Sequence, residues 1–406
     1  MRLSRWSRAA MGAIALTLLM APAAHAADPA GPLVRELTDR VQAGALGRDV
    51  TVHVLDTATD APLFAYDADE RQLPASTMKV VTAVTALETL GRGHTFATRV
   101  MSGPEEGSII LVGGGDPLLS RADLTRLAER TAAKLTKAGI DRVTVDVDDY
   151  LFPRPTDAKG WEPGDSPTFA AAVRPLALLG EYSRDTVGSA LGMFVSRLRA
   201  EGIDAKAGGR AIAPDDARRI AVVARNSLST AIELMLRVSE NNVAETLFRH
   251  VALARGYPAT WSASSIAAKE TLRELGLKTY GLELIDGSGL SMDDRLTAEF
   301  LTRVLDRVVD PEHRNLAPIR RWLPVAGETG TLAYRFASSP ASCARGDVFA
   351  KTGSLTGVNT LAGLTRGPDG TWRSFAVMVN HRPEGYANAE TSAAVDALAA
   401  TVHGCT

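Results

Sequence analysis

The stretch Pro74-Ala75-Ser76-Thr77-Met78-Lys79 places a hydroxyl group and an amino group three residues apart. Residues i and i+3 share a face of a helix, so a helix here would bring the Lys79 amine beside the Ser76 hydroxyl. Residues 80–87 are apolar on nearly every side, which predicts a buried helix that begins at Ser76 and ends before Gly91. Because burying a charged amine is costly, Lys79 is either a paired structural charge or a group whose proton is used in a reaction.

The pair of Ser76 and Lys79 is, by itself, equally compatible with a helix-capping serine and a lysine that extends to solvent. Two further motifs follow it: Ser239-Glu240-Asn241 lies in a polar break between apolar helical segments, and Lys351-Thr352-Gly353 lies on a strand. This ordered set of three motifs occurs in penicillin-binding proteins and class A β-lactamases. The predicted setting of each motif favours a catalytic site over a chance match.

Length and composition limit the classes of function. The chain has 406 residues, of which 45% are hydrophobic and 23% are charged, as is usual for a globular protein of two or three domains. The formal net charge of −2 gives no excess of basic residues for binding nucleic acid. The seven His residues are scattered without an H-E-x-x-H pattern, so we expect no metal and no cofactor, and a metallopeptidase is disfavoured.

Residues 1–26 have the pattern of a signal peptide. Arg2, Arg5 and Arg8 precede an uncharged run from 9 to 20, and Ala24-His25-Ala26 forms a cleavage site of the small-x-small type. No later stretch has about 20 consecutive apolar residues, so we expect an exported protein, periplasmic or extracellular, with no transmembrane anchor after cleavage. A retained N-terminal anchor is the alternative.

Hydrophobic periodicity predicts a domain of mixed α and β structure formed by residues 27–92 and 224–406. A helix and a hairpin precede the buried helix, and a three-stranded meander followed by a helix ends the chain. Thr230 and Glu233 form a capping box that predicts the start of a helix in the middle of the chain. The predicted segments are a helix at 32–47, strands at 51–55, 63–66, 347–355, 358–364 and 371–380, and a helix at 387–402.

The pattern of predicted helices and strands changes at residues 93–223, which indicates an inserted α/β domain. A hairpin at 96–101 and 108–112 is followed by a helix at 121–137, a strand at 142–147 and a helix at 189–201. The run Gly113-Gly114-Gly115 is not a phosphate-binding loop, because no Gly-Lys-Ser/Thr follows and Pro117 interrupts it.

Four more segments extend the similarity beyond the three motifs: Leu284–Ser291, Leu323–Gly327, Gly330–Leu332 and Lys351–Gly357. With them the sequence resembles the low-molecular-weight class C penicillin-binding proteins, the D-alanyl-D-alanine carboxypeptidase/endopeptidase family, over nearly all of the mature chain. Glu240 stands where this family usually has Asp. The resemblance implies a β-lactamase/transpeptidase-like domain, in which helices and a helical subdomain cover an antiparallel sheet. The family usually nests a further domain in the insertion; the short gap here predicts its absence, with a connection at 180–185.

The resemblance implies a serine peptidase that acts on peptidoglycan stem peptides ending in D-Ala-D-Ala and that β-lactam antibiotics inhibit covalently. Ser76 is then the nucleophile, and Lys79 is a base that burial and the Lys351 ammonium keep neutral. Ser239 relays a proton to the leaving amine, and Asn241 orients Lys79 and the substrate amide. Lys351, Thr352 and Ser354 hold the substrate carboxylate, the N–H groups of Ser76 and Ser354 form the oxyanion hole, and Gly353 lets the substrate lie against the sheet edge.

Five residues of the insertion, Asp148, Asp149, Tyr150, Phe152 and Trp161, place acids beside aromatic side chains. In the family a comparable region holds the charged end of the peptidoglycan diamino acid, so these residues are candidates for selectivity. A solvated loop with a buried Trp explains them equally well.

Three questions stay open at the level of sequence. Cys343 and Cys405 suit one disulfide in an oxidising compartment, and two free thiols are the alternative. A serine β-lactamase is a second candidate function, although no clear class A Glu-x-x-x-Asn loop is present. A non-catalytic penicillin-binding sensor of the same fold is a third, although all the reactive residues are present.

Overall fold

The computed structural model describes residues 31–406, so the predicted signal peptide lies outside the described residues. In that range no helix is both long enough and apolar enough to cross a membrane. The strands are β1 Val50–Asp56, β2 Ala61–Tyr66, β3 Thr98–Ser102, β4 Ser108–Val112, β5 Arg142–Asp148, β6 Asp204–Arg210, β7 Arg219–Val223, β8 Phe349–Leu355, β9 Val358–Arg366 and β10 Trp372–Val379. The α-helices are α1 Gly31–Val41, α2 Met78–Leu90, α3 Arg121–Lys137, α4 Asp165–Thr168, α5 Thr186–Ala200, α6 Leu228–Val238, α7 Asn241–Ala254, α8 Trp261–Glu274, α9 Ala298–Val309, α10 Pro318–Trp322 and α11 Asn388–His403.

One sheet combines strands from the beginning and the end of the described chain. Its order is β2-β1-β10-β9-β8, and every neighbouring pair is antiparallel. Both faces are buried: Leu361 of β9 packs into a core with α1 and α11, and the next residue, Ala362, packs into a core with α2 and α6 to α9. The expected α+β fold, with an antiparallel sheet and covering helices, is confirmed. The strand β8, which carries Lys351, lies at the edge of this sheet.

Helix α2 is the buried helix that the sequence predicts. All ten residues from Met78 to Leu87 are buried, because α2 is surrounded by α6, α7, α8 and α9. The predicted starting residue is wrong: a 3-10 turn at Ala75–Thr77 comes first, and the α-helix begins at Met78. Ala75 has a positive φ of 45°, which no α-helix accommodates, so Ser76 lies in the turn.

Two other predicted boundaries are also corrected. Helix α1 ends at Val41 instead of residue 47, because Ala43 is extended and the chain continues as a 3-10 turn at Gly44–Leu46. The predicted capping box of Thr230 and Glu233 lies inside α6: the side chain of Ser227 caps this helix by accepting a hydrogen bond from the Thr230 N–H.

A second sheet lies in the middle of the chain, with the order β6-β5-β4-β3-β7. Strands β4, β5 and β6 are parallel, whereas β3 is antiparallel to both of its neighbours. Its core, shared with α3 and α5, draws on residues between Val100 and Val223. Residues 169–185, all within the described range, contain no helix or strand. The domain limits of 27–92 with 224–406 and of 93–223, and the absence of a nested domain, stay predictions that this organisation supports.

A disulfide joins Cys343 to Cys405, with a Cα–Cα distance of 6.1 Å. Cys343 lies in a 3-10 turn shortly before β8, and Cys405 follows α11. The bond therefore ties the end of the chain to the segment that leads into the strand carrying Lys351.

Candidate active site

The three motifs meet where α2 begins beside strand β8. The Pro74 carbonyl accepts a hydrogen bond of 2.8 Å from the Thr360 hydroxyl of β9, which fixes the turn containing Ser76 against the sheet. The second motif reaches the same place from the junction of α6 and α7, since Asn241 accepts a hydrogen bond from Lys79. Residues more than 150 positions apart in the sequence therefore surround one serine hydroxyl.

Lys79 has three hydrogen-bond partners. Its Nζ lies 2.8 Å from Ser76 Oγ, 2.7 Å from Asn241 Oδ1 and 2.9 Å from the carbonyl oxygen of Ser288. The oxygens of Asn241 and Ser288 can only accept hydrogen bonds, whereas the Ser76 hydroxyl can also donate. When Lys79 is neutral, its two N–H bonds are directed to those two acceptors, and its lone pair faces the Ser76 hydroxyl. This geometry suits a base that removes the proton of Ser76.

Lys79 is completely buried, and burial lowers its pKa from 10.5 to about 8. The carboxylates of Glu245, Asp286 and Glu240 oppose this change, because negative charge stabilises the ammonium form. The expected lowering by burial is confirmed. The contribution that the sequence assigned to Lys351 stays a prediction: repulsion between the two ammonium groups lowers the pKa of Lys351, and the charged groups that oppose burial at Lys79 are carboxylates.

Lys351 is also completely buried, and its Nζ donates hydrogen bonds to Ser239 Oγ at 3.0 Å and to the Thr352 carbonyl at 2.6 Å. Burial, and then the nearby Lys79, hold the pKa of Lys351 well below its usual value. An anionic group beside it would restore the ammonium form, so this lysine is suited to binding a carboxylate. The hydrogen bond from Lys351 to Ser239 links the third motif to the second.

The second motif also contacts the loop of the insertion. Glu240 caps α7 by accepting from the Val243 N–H, and it accepts a hydrogen bond of 2.7 Å from the Tyr182 hydroxyl. The Asn241 amide nitrogen donates to the Phe169 carbonyl at 2.8 Å. The side chain of Glu240 is thus occupied by structural contacts, which explains how Glu can stand in the place of Asp.

Gly353 leaves room for the backbone that carries Ser76. A Cβ atom at this position would overlap the Thr360 hydroxyl and would lie 2.9 Å from both the Pro74 oxygen and the Ser76 nitrogen. The missing side chain therefore makes room for this backbone, and the predicted room for a substrate at Gly353 stays a prediction. Because of this close approach, β8 fixes the position of the serine.

A cleft of about 310 Å³ opens above Ser76. Asn241 and Ser354 line it, as the sequence predicts, and Leu290 and Met292 contribute apolar surface. The insertion contributes the side chains Glu162, Asp165 and Phe169.

The five selectivity candidates of the insertion do not line this cleft. Asp149 is buried in ion pairs with Arg174 and Arg210, and Phe152 is a core residue. Asp148 accepts backbone hydrogen bonds, Tyr150 lies under the Arg210 guanidinium, and Trp161 donates to Asp286. These contacts favour structural roles for the five residues, although the loop is not the solvated loop with a buried Trp that was the alternative, because Asp149 and Phe152 are buried and Trp161 is partly exposed. The acids that reach the cleft lie slightly further along the chain.

Sequence reasoning missed two residues behind Lys79. One is Ser288, which acts through its backbone carbonyl, and the other is Glu245, which accepts hydrogen bonds from the N–H groups of Gly287 and Ser288. A backbone carbonyl leaves no signal in a sequence. A glutamate on the apolar helix α7, four residues after Asn241, was a signal that could have been noticed.

The sequence matches the D-Ala-D-Ala carboxypeptidase 3 (S13) family over residues 33–182 and 170–402, which is most of the chain. The chain belongs to this family. The resemblance to the low-molecular-weight class C penicillin-binding proteins is thereby confirmed.

Relatives of this S13 protein include carboxypeptidase Rv3627c of Mycobacterium tuberculosis, which is 34% identical over 87% of this chain and 79% of its own length. The D-alanyl-D-alanine carboxypeptidase of Actinomadura sp. strain R39 is 29% identical over 95% of this chain and 87% of its own. Among solved structures, penicillin binding protein 4 of Haemophilus influenzae has a TM-score of 0.79 at 22% identity, over 91% of this chain and 99% of that one. The structural likeness shows the shared fold, and the sequence matches identify this S13 member as a serine-type peptidase.

Proposed function

We propose that this protein is a D-Ala-D-Ala carboxypeptidase that cleaves peptidoglycan stem peptides through an acyl-enzyme on Ser76. The observation that carries the proposal is the set of three Lys79 contacts. Two acceptor oxygens hold the N–H bonds of the neutral amine, and the third contact directs its lone pair at the Ser76 hydroxyl.

In the acylation step, Lys79 takes the Ser76 proton as Oγ attacks the carbonyl carbon between the two D-alanines. The N–H groups of Ser76 and Ser354 stabilise the oxyanion, and loss of one such donor typically costs about 100-fold or more in rate. Lys351, with Thr352 and Ser354, holds the terminal carboxylate, whose charge keeps Lys351 protonated. Ser239, held by its hydrogen bond to Lys351, relays the proton that Lys79 took from Ser76 to the leaving D-Ala amine, which leaves Lys79 neutral again.

Water then hydrolyses the ester on Ser76 and releases the shortened peptide. The same steps cleave a crosslink between two stem peptides, which is an endopeptidase reaction. A β-lactam would acylate Ser76 in the same way and act as a covalent inhibitor. We further propose that the protein is exported to the cell envelope, which the signal-peptide pattern of residues 1–26 supports.

The insertion supplies the selectivity in this proposal. Glu162 and Asp165 line the cleft beyond Ser76, and Phe169 adds an aromatic surface beside them. Asp165 is only 8% exposed and accepts a hydrogen bond of 2.6 Å from the Glu162 N–H, so its carboxylate is held in place. Two acids in one cleft favour a substrate with a cationic group, such as the free amine of a stem-peptide diamino acid.

The test is release of D-Ala from synthetic stem peptides ending in D-Ala-D-Ala, with the side-chain amine either free or acetylated. We expect release by the wild type and none by Ser76→Ala, whereas Ser262→Ala, an exposed serine on α8, should retain wild-type activity. Asp165→Asn should reduce the preference for the free amine. Release that survives Ser76→Ala would refute the proposal, and an unchanged preference in Asp165→Asn would refute only its selectivity part.

A further inference from the structure

A buried carboxylate holds the loop that supplies one of the three partners of Lys79. Glu245 of α7 is completely buried, and its two carboxylate oxygens accept hydrogen bonds from consecutive backbone groups, Gly287 N–H at 2.8 Å and Ser288 N–H at 3.0 Å. Because both donors lie on adjacent residues, this one side chain fixes the position and the tilt of the backbone at residues 287 and 288.

The backbone at 287 and 288 leads directly to the catalytic lysine. The Ser288 carbonyl accepts from Lys79 Nζ at 2.9 Å, and the Gly287 carbonyl accepts from the Thr82 hydroxyl of α2 at 2.6 Å. A Cβ atom on Gly287 would lie 2.5 Å from the Ala244 oxygen of α7, so the loop has no free space on that side. The loop is therefore clamped between α7, through Glu245, and α2, through Thr82 and Lys79.

We propose that Glu245 is a positioning residue for Lys79: by fixing the Gly287–Ser288 backbone it keeps the Ser288 carbonyl on the amine, so that the lone pair of Lys79 faces Ser76. The inference rests on the proposed function, because it assigns Glu245 a task only if Lys79 acts as the base. The contacts themselves are independent of any substrate.

The charge of Glu245 gives this role a distinct experimental signature. Glu245 is first among the carboxylates that raise the pKa of Lys79 against the effect of burial. Burial, and then Asp286, raise its own pKa to about 8, while the two backbone hydrogen bonds and Lys79 favour its charged form, so Glu245 is charged at the alkaline end of the range in which Lys79 becomes neutral. Removing the carboxylate would therefore make Lys79 lose its proton at a lower pH. Removing an uncharged side chain that holds the same loop would not. Other charged groups surround Glu245 and Lys79. Asp286 and Asp294 lie on the loop between α8 and α9, Glu240 and Arg249 precede and follow Glu245 in the chain, and Lys351 lies on β8.

The experiment measures the second-order rate constant of acylation by a fluorescent penicillin from pH 5.5 to 9.5. For the wild type we expect a rate that rises with pH as Lys79 becomes neutral. In Glu245→Gln the amide nitrogen is a donor and cannot accept the second N–H, so the plateau should fall about tenfold or more. The midpoint of the rise should also move down by about one pH unit, because a nearby opposite charge is lost.

Thr82→Val is the matched control, because it removes the second clamp of the same loop without changing any charge. We expect a lower plateau with an unchanged midpoint. Glu245→Asp keeps the charge but shortens the reach, so it should lower the plateau and leave the midpoint unchanged. If Glu245→Gln fails to fold, an unchanged plateau in folded Glu245→Asp contradicts the inference. Thermal unfolding of each variant shows whether the protein is intact.

Each outcome separates the inference from the proposed function. If the wild type is acylated on Ser76 but Glu245→Gln, folded, keeps both the plateau and the midpoint, the inference is wrong and the proposed function stands. A lower plateau with an unmoved midpoint in Glu245→Gln would show that Glu245 bears no negative charge beside Lys79, which contradicts a carboxylate that accepts both N–H groups and therefore contradicts the inference. If the wild type itself is not acylated, the proposed function fails first.

Discussion

The substitution Gly353→Ala tests how closely strand β8 approaches the nucleophile. The added methyl group would overlap the Thr360 hydroxyl and lie 2.9 Å from both the Pro74 oxygen and the Ser76 nitrogen. The van der Waals contact distance between a carbon and a backbone atom is about 3.5 Å, so the turn that carries Ser76 must move by about 0.5 Å. The Thr360 hydroxyl, which holds that turn through Pro74, must move as well.

Gly353→Ala should affect the acylation rate constant more than it affects the free energy of unfolding. A misplacement of about 1 Å can cost about 100-fold in rate, so half of that displacement predicts an acylation rate constant about 10- to 100-fold lower. Overpacking should reduce the free energy of unfolding by about 1–3 kcal/mol, which leaves a domain of this size folded. The assay is the acylation rate with a fluorescent penicillin, together with urea denaturation to measure stability.

Gly192→Ala is the control for this prediction. Gly192 lies inside α5, and apart from its neighbours and the backbone of this helix no atom of the described residues lies within 4 Å of an added Cβ, so this change should stabilise the helix by about 0.5–1 kcal/mol and leave acylation unchanged. If Gly353→Ala acylates as fast as the wild type, β8 does not position Ser76 in the way described.

Two further predictions concern stability. Burial lowers the pKa of His250 to about 4, so the unfolded state, with a pKa near 6.5, binds the proton more tightly. The free energy of unfolding should therefore fall by about 3 kcal/mol as pH drops from 6.5 to 4. Urea denaturation of His250→Gln over this pH range should show a decrease that is smaller by this amount. An equal slope in both proteins would contradict a buried neutral His250. The Cys343–Cys405 disulfide closes a loop with a sequence separation of 62, so replacing both cysteines by Ser should cost about 4 kcal/mol in denaturant; a cost under 1 kcal/mol would show that the bond does not constrain the unfolded chain.

The sequence was a good guide to the fold wherever local pattern and tertiary packing agree. Helix α2 is buried because its apolar residues surround it on all sides, and the strands of the terminal meander follow from alternating residues and turn signals. The first turn of α2 differs from the prediction, because Ala75 has a positive φ and the preceding Pro74 carbonyl is held by Thr360. A contact across nearly 300 residues is invisible to local propensity.

The candidate site was predictable in its side chains and not in its backbone. Three motifs identify Ser76, Lys79 and Lys351 because each needs a particular residue type. The Ser288 carbonyl could be supplied by any residue, and the carboxylates that oppose the lowered pKa of Lys79 depend on distances that a sequence does not contain. For the same reason, the sequence makes Asp149 a candidate for selectivity, whereas in the structure its carboxylate is paired with Arg174.

The most direct measurement is the mass of the intact protein, and then of its peptides, after incubation with penicillin. We predict one adduct of penicillin mass on the peptide that contains Ser76, and its loss in Ser76→Ala. No adduct on the wild type, or an undiminished adduct in Ser76→Ala, would contradict the assignment of Ser76 as the nucleophile.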